Sequence, residues 1–335
     1  MALFDFHRVI IKPTGRSLKT ISVLNPLAIR KKGTRAKAIF ALALVCFFWG
    51  TTWIASKEGV RHMPPLQMAG LRQLFGGMCY VLFFLVKGER WPKGKEWRSI
   101  FILSFLNFLI ANGLSNWGVK YISAGLGSII GAIFPLWLVV IGFFSAKSKM
   151  PTKAIIGLLL GFAGVCIIFY EHLQDFLNDD FRIGIILSLI ATWGWAFGTI
   201  YTKSHAARFN PYFSIGLQMV VSGLSLTIAS HTITGAMPLT SIPWQSWLAI
   251  SYLVVFGSVI SFIAYLFALQ NLSTEQASLY AYVNPVVAVL LGWIIFSESL
   301  TPYIAVGGLV ALLGVYLVNK AYKVPGSTTP ETEGI

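Results

Sequence analysis

The sequence predicts an all-α membrane protein of ten transmembrane helices, built as two five-helix repeats of inverted topology. Three observations predict it. Of 335 residues, 56% are hydrophobic and only 11% charged, a balance far too apolar for a soluble domain. Apolar runs long enough to cross about 30 Å of hydrocarbon recur ten times along the chain. The later runs repeat the earlier ones at nearly constant spacing, and an odd number of spans per repeat makes the second copy enter the membrane from the opposite side.

Taken in order, residues 1–37 form a basic leader with nine Lys and Arg and without the continuous apolar core of a cleavable signal. It reads as a cytoplasmic tail, either poorly ordered and incidental or a lipid-binding arm. The first repeat, 38–170, holds apolar runs at 38–56, 65–86, 99–117, 123–145 and 152–170. Residues 171–182, with Asp175, Asp179 and Asp180, are the most polar stretch between spans and form an extracytoplasmic linker. The second repeat, 183–320, holds runs at 183–202, 211–231, 247–269, 273–297 and 302–319, and 321–335 is a cytoplasmic tail.

The net charge of +14 would suggest nucleic acid in a soluble protein, but here the cations sit between apolar spans and orient the chain. With the N-terminus inside, 21 of the 26 Lys and Arg fall on the cytoplasmic side. Lys57, Arg61, Lys120 and Arg182 fall outside, and Arg72 lies within a span. This bias places both termini in the cytoplasm of a cell-membrane protein. Cys46, Cys79 and Cys166 are odd in number, lie in apolar runs and read as buried small hydrophobes. The five His are scattered without metal-ligand spacing, so neither a metal nor a cofactor is expected. The expected partners are a small-molecule substrate and the lipid bilayer, with a monomer favoured and a dimer left open.

At an offset of 146, Trp49 meets Trp195, Lys57 meets Lys203, Pro65 meets Pro211, Gly70 meets Gly216 and Gly77 meets Gly223. At 150, Ser123 meets Ser273, Pro135 meets Pro285, Gly157 meets Gly307 and Gly164 meets Gly314. The helix around Asn284-Pro285 thus has a twin at Phe134-Pro135. A proline inside a membrane helix frees a carbonyl that protein or water must satisfy, so Pro135 and Pro285 are candidate hinges beside a cavity.

The segments Phe48-Trp-Gly-Thr-Thr-Trp-Ile-Ala-Ser-Lys57, Ala69-Gly-Leu-Arg-Gln-Leu74, Val254-Val-Phe-Gly-Ser-Val-Ile-Ser-Phe262 and Tyr282-Val-Asn-Pro-Val-Val-Ala-Val-Leu-Leu-Gly-Trp293, followed by Glu298, resemble the drug/metabolite transporter superfamily, EamA type. The resemblance covers about residues 38–320. It implies a ten-helix bundle of two inverted halves in the plasma membrane, often exporting amino acids or other small metabolites. It does not supply one substrate.

A central cavity requires polar arcs at about 100° per residue. In the third span Ser104, Asn107, Asn112, Ser115 and Asn116 share one side of the wheel. The seventh carries Ser214, Gln218, Ser222 and Ser225, and the eighth Ser251, Ser258, Ser261 and Tyr265. Such residues either join helices or line a water-accessible space. Trp49, Thr52, Trp53 and Ser56 form a stripe in the first span whose twin includes Trp195, offering apolar area to an amphipathic solute or anchoring the chain at the interface. Arg72, with Gln218 as its twin, costs about 2.5–3.5 kcal/mol at mid-membrane. It binds a carboxylate or phosphate, holds carbonyls freed at a proline, or snorkels to the surface. Tyr282 and Asn284 complete the candidate substrate contacts.

All 12 acidic residues lie in the leader, loops, tail or near span ends. Without a mid-span carboxylate for a proton relay, a facilitator or exchanger is expected rather than a carboxylate-based proton antiporter. The function expected is secondary transport of small metabolites by alternating access, with export of amino acids or related solutes foremost. An intramembrane enzyme, a channel, or a carrier of nucleotide sugars or phosphorylated metabolites are the competing readings. Asp179-Asp180 alone is a weak catalytic signal, so no enzyme activity is expected.

Overall fold

A computed structural model describes residues 34–145, 151–205, 209–272 and 280–321, and among these every regular element is helical. The helices are α1 (Thr34–His62), α2 (Pro65–Val86), α3 (Lys95–Tyr121), α4 (Ala124–Ala132), α5 (Phe134–Ser145) and α6 (Thr152–Glu171). After a short linker follow α7 (Asp179–His205), α8 (Pro211–Thr234), α9 (Trp244–Asn271), α10 (Tyr280–Phe296) and α11 (Pro302–Ala321). Among the described residues seven helices are long and apolar enough to cross a membrane, and Ala124–Leu138, Tyr280–Phe296 and Pro302–Val318 are shorter apolar stretches. Ser273, Glu275, Ser278, the leader before Thr34 and the tail after Ala321 lie outside the described residues.

Local chemistry sets the helix starts. Pro65 and Pro211 occupy first-turn positions, where a missing N–H costs nothing. The Asn210 Oδ1 accepts from the Tyr212 and Phe213 amides at 3.0 and 3.2 Å, and the Ser123 Oγ accepts from the Leu126 amide at 3.0 Å.

Two seams of small residues join the halves of the chain. Helix α2 packs along α8, and α6 along α11. A Cβ at Gly77 would meet the Gly216 carbonyl at 2.7 Å, and one at Gly70 the Gly223 carbonyl at 3.2 Å. Likewise Gly157 faces the Gly314 carbonyl and Gly164 the Gly307 carbonyl, at 2.7 and 2.6 Å. The lower-numbered glycine of one helix meets the higher-numbered glycine of the other in every case, so both pairs run antiparallel. At such separations backbone packs on backbone, which only small residues permit.

Helices α3 and α9 contain π-helical stretches, Ser104–Gly113 and Leu253–Ile260. Their wider turns leave carbonyls without the usual partner, and side chains take them up. The Asn112 Nδ2 donates to the Asn107 carbonyl at 2.8 Å, and the Asn116 Nδ2 to the Asn112 carbonyl at 2.7 Å. The Tyr80 hydroxyl on α2 donates to the Ser258 and Val259 carbonyls at 3.2 and 2.8 Å.

The two proline segments differ. In the first, Ile133 breaks the helix between α4 and α5, with Pro135 in the opening turn of α5. In the second, α10 runs unbroken through Pro285. Asn284 ties this segment to its neighbour. With its amide nitrogen turned inward, it donates to the Tyr280 carbonyl at 3.0 Å and to the Cys46 carbonyl of α1 at 2.9 Å. The apolar Phe134 offers no such bond.

Two expectations from sequence need correction. Cys46 is buried, but Cys79 and Cys166 are exposed on the outside of the bundle. In a membrane span an outward apolar face meets lipid, so hydrophobic patterning does not separate lipid-facing from buried cysteine. Lys57, counted from sequence as a loop cation, belongs to α1. Its Nζ donates to the Val119 and Ile122 carbonyls at 2.8 and 2.7 Å, at the C-terminal end of α3. Beside it, the Glu298 carboxylate accepts from the Ala124 and Gly125 amides at 2.7 and 3.1 Å, at the N-terminal end of α4. The pair ties α1 and the segment after α10 to the α3–α4 turn.

Candidate functional site

A cavity of about 180 Å³ lies between α1, α2, α3, α4, α5, α7, α9 and α10. Both halves of the chain line it: Trp49, Arg72 and Asn112 from the first, Trp195, Phe262 and Asn284 from the second. One wall is aromatic. The Trp49 ring sits 5.0 Å from Tyr280, 5.3 Å from Phe262 and 6.3 Å from Trp195, the last edge-on. These centroid distances are those of tilted and edge-to-face aromatic packing. Trp53 lies across α4, where Cβ atoms at Gly127 and Gly131 would each stand 3.0 Å from its ring. These glycines give the indole its place.

The polar groups converge on the π-helical stretch of α9. The Trp49 indole N–H donates to the Gly257 carbonyl at 3.2 Å, so its donor serves the fold. Arg72 is buried, and its Nε donates to the Ser258 Oγ at 3.3 Å. A Cβ at Gly257 would stand 3.1 Å from the Arg72 Nη2 and 2.7 Å from the Thr52 Cγ2. The missing side chain at Gly257 thus makes the space that the guanidinium uses. No described carboxylate forms an ion pair with Arg72. On α3, the Asn112 and Asn116 amide nitrogens are spent on backbone carbonyls. The buried Asn116 Oδ1 and the buried Ser188 Oγ of α7 have no partner.

Of the residues singled out from sequence, Trp49, Trp53, Arg72, Asn112, Asn116, Trp195, Asn284 and Pro285 line this one cavity. Asn107, Gln218, Tyr265, Tyr282 and Pro135 do not. Asn107 turns away because the π-helical turns advance fewer degrees per residue than the α-helical wheel assumes. It packs where a Cβ at Gly198 would stand. Ser104, from the same predicted arc, donates instead to the Gln218 carbonyl at 2.9 Å. The Gln218 amide is satisfied within its own helix by Ser214, at 2.9 Å. Tyr265 stands behind the wall, 5.0 Å from Trp49 and 5.5 Å from Tyr280. Tyr282 packs beside Ile133, Leu136 and Val315. Pro135 adjoins Phe134, which does reach the cavity.

Sequence reasoning passed over Ser188 and Thr192. With Trp195 they form an i, i+4, i+7 stripe on α7 that the helical period makes visible. It also passed over the lining rings of Phe134 and Tyr280 and the bracing role of Tyr80. A membrane-length aromatic carries no mark that separates a lining ring from a packing one.

A helical bundle with lipid-suited outer faces and a mixed aromatic and polar interior defines the class of multi-pass membrane transporters. Within that class, residues 36–170 and 182–320 each match the EamA-like transporter family, and the chain belongs to that family. The chain is 31% identical to the uncharacterized inner membrane transporter YedA of Escherichia coli strain K12, over 84% of this chain and 91% of that protein. It is 26% identical to the uncharacterized transporter YvbV of Bacillus subtilis, over 88% and 95% respectively. It is 28% identical to the chloroplastic WAT1-related protein At3g02690 of Arabidopsis thaliana, over 82% and 67%. A solved crystal structure of a protein 15% identical matches 87% of this chain and all of its own, with a TM-score of 0.60. That likeness bears on the fold alone.

Proposed function

We propose that the protein is a secondary carrier of small amphipathic metabolites, exporting amino acids or solutes related to them by alternating access. The observation that carries the reading is the cavity built jointly by both halves, lined by aromatic rings and by polar side chains that include Arg72. A cavity of about 180 Å³ is small beside the roughly 300–1,000 Å³ typical of drug-sized ligands. It offers one cation, which argues against nucleotide sugars or sugar phosphates as cargo.

In this reading residues 38–170 and 183–320 are inverted five-span repeats, giving ten spans in the cell membrane with both termini cytoplasmic. The antiparallel glycine seams support it. Gly70 and Gly77 meet the glycines that match them in reverse order, Gly223 and Gly216, the reciprocal pattern expected about a two-fold axis. The halves rock about Pro135 and Pro285, and the cavity faces each side in turn. With the described carboxylates confined to helix ends and loops, transport proceeds by facilitation or exchange without a carboxylate proton relay. The protein works as a monomer and binds no nucleic acid.

Reconstitution tests this directly. Purified protein in liposomes is expected to give saturable uptake of a labelled solute, accelerated by unlabelled solute on the far side. Flux that never saturates would mark a channel, and chemical conversion of the solute would mark an enzyme.

A further inference from the structure

The two ends of the cavity are closed by different chemistry. The contact of Gly184 with Ile122 and the hydrogen bond from Thr301 to Glu171 place the α3–α4 turn, the 171–182 linker and the segment after α10 at one end of the bundle. On α1, α7 and α10 the lining residue farthest from that end is a ring, Trp49, Trp195 or Tyr280. The lining residues nearest it on α1, α3 and α4 are Ser56, Asn116 and Ser128. Within one helical turn beyond these stand Lys57, Val119 and Gly125, and there the mouth is closed by charge.

The Glu298 carboxylate accepts from the Ala124 and Gly125 amides at 2.7 and 3.1 Å, while the Lys57 Nζ serves carbonyls on the other side of the same turn. Lys57 and both its acceptors belong to the first half of the chain, so those bonds need not change when the halves move. Glu298 comes from the second half, and its two bonds cross the boundary. The backbone is strained to make them. Among the described residues Ser297 alone of the non-glycines has a positive φ, 54°, a left-handed turn that is unfavourable for a residue with a Cβ. The Glu298 amide then returns to the Gly292 carbonyl at 3.1 Å, and a Cβ at Gly292 would overlap the Glu298 Oε2. Hydrogen bonds to a carboxylate are strong while the mouth is dry, and water replaces them when it hydrates. At the offset of 150 the twin of Glu298 is Ser148, so the repeat supplies this carboxylate once.

We propose that Glu298 is the gate residue of the mouth beside the 171–182 linker. Its carboxylate on α4 holds that mouth shut, the carrier rests with it shut, and opening draws Glu298 off the Ala124 and Gly125 amides. This rests on the reading of the protein as an alternating-access carrier and names the contact that must break.

The test is labelling of full-length protein bearing Ser56→Cys with a membrane-impermeant methanethiosulfonate reagent, in intact cells and in inverted membrane vesicles. The rate is scored above that of the parent with its three native cysteines. Gln174→Cys, exposed in the linker, reports which preparation presents the linker side. From that side Ser56→Cys should label far more slowly than Gln174→Cys. Glu298→Gln should raise the Ser56→Cys rate by about tenfold, the population change that goes with one charge-assisted hydrogen bond. Glu298→Asp, one methylene short of α4, should raise it too, and either variant decides the test if the other fails to fold. Glu58→Gln, whose carboxylate pairs with Arg61 and His62 on its own helix, should leave the rate unchanged.

A rate that the Glu298 variants leave unchanged overturns the proposal, and so does an equal rise with Glu58→Gln. Labelling of Ser56→Cys as fast as Gln174→Cys with Glu298 intact overturns it as well, whether or not a Glu298 variant folds. Labelling reads access and not flux, so counterflow in liposomes is scored separately. Access controlled by Glu298 without counterflow would refute the carrier reading and leave the gate standing, whereas counterflow with access indifferent to Glu298 would do the reverse.

Discussion

The glycine seams and the central cavity follow opposite rules. Along α2–α8 and α6–α11 matched glycines of the two halves lie at the contact, and backbone atoms stand 2.3–3.2 Å from where a Cβ would be. In the cavity Trp49 keeps its match in Trp195, but other matches fail. Arg72 stands against Gln218, Trp53 against Thr199 and Phe134 against Asn284. Gln218 is satisfied inside its own helix, while Arg72 reaches across to α9. The difference teaches that the two halves of the sequence are alike where backbone packs on backbone and differ at several of the positions that line the cavity. A solute site between two identical halves would bind both ends of its ligand alike, and the mismatches give it a direction.

The largest expected effect comes from breaking a seam. Gly164→Val places a Cβ 2.3 Å from the Ala311 nitrogen, and backbone cannot yield as a side-chain tip does. Loss of monodisperse protein on size-exclusion chromatography in detergent is expected. Gly223→Ala, with a Cβ 2.5 Å from the Leu74 nitrogen, should destabilise by about 1–3 kcal/mol, read as a lowered melting temperature. The control is Gly308→Ala, where the nearest atom is the Ile129 Cδ1 at 3.8 Å. An equal loss at Gly308 would show that the seams have no special standing.

Gly257→Ala sharpens the contrast from the cavity side. The new Cβ meets the Thr52 Cγ2 and the Arg72 Nη2, so solute affinity should fall by about tenfold while melting changes little. A large fall in melting temperature with affinity intact would make Gly257 another seam residue. Asn284→Leu removes the donor that covers the Tyr280 and Cys46 carbonyls. A stability loss of about 1–3 kcal/mol is expected, and Phe134→Leu, with no such bond to lose, is the comparison. The smallest effects on binding are expected at the prolines. Pro135→Ala and Pro285→Ala should slow turnover in liposomes more than they weaken binding, and a change in affinity alone would remove them from the motion.

Composition and apolar run length made the helices legible. The second run, 65–86, coincides with α2, and the third, 99–117, sits inside α3 at Lys95–Tyr121. The glycines that matched at the repeat offsets proved to lie at the seams, because backbone approach excludes nearly every other residue. The π-helical stretches of α3 and α9 were invisible. They arise from a shifted hydrogen-bond partner, which leaves no trace in hydropathy. That shift explains why Asn112 and Asn116 reach the cavity while Asn107, five residues before Asn112, fills the gap at Gly198. Arg72 was legible as a cost that needed a reason, but not its dependence on the absent side chain of Gly257. Trp49 was legible as a ring but not as a donor already bound to the Gly257 carbonyl. Such pairings join residues about two hundred positions apart and depend on the packing of α1 and α2 against α9.

The central claim is that solute passes through the cavity and is held there by Arg72. The most direct measurement is trans-stimulated exchange of labelled phenylalanine in liposomes, compared between the unaltered protein and Arg72→Gln at equal folded amounts. Saturable exchange that Arg72→Gln abolishes is the predicted result. Saturable exchange that survives Arg72→Gln unchanged would contradict the claim.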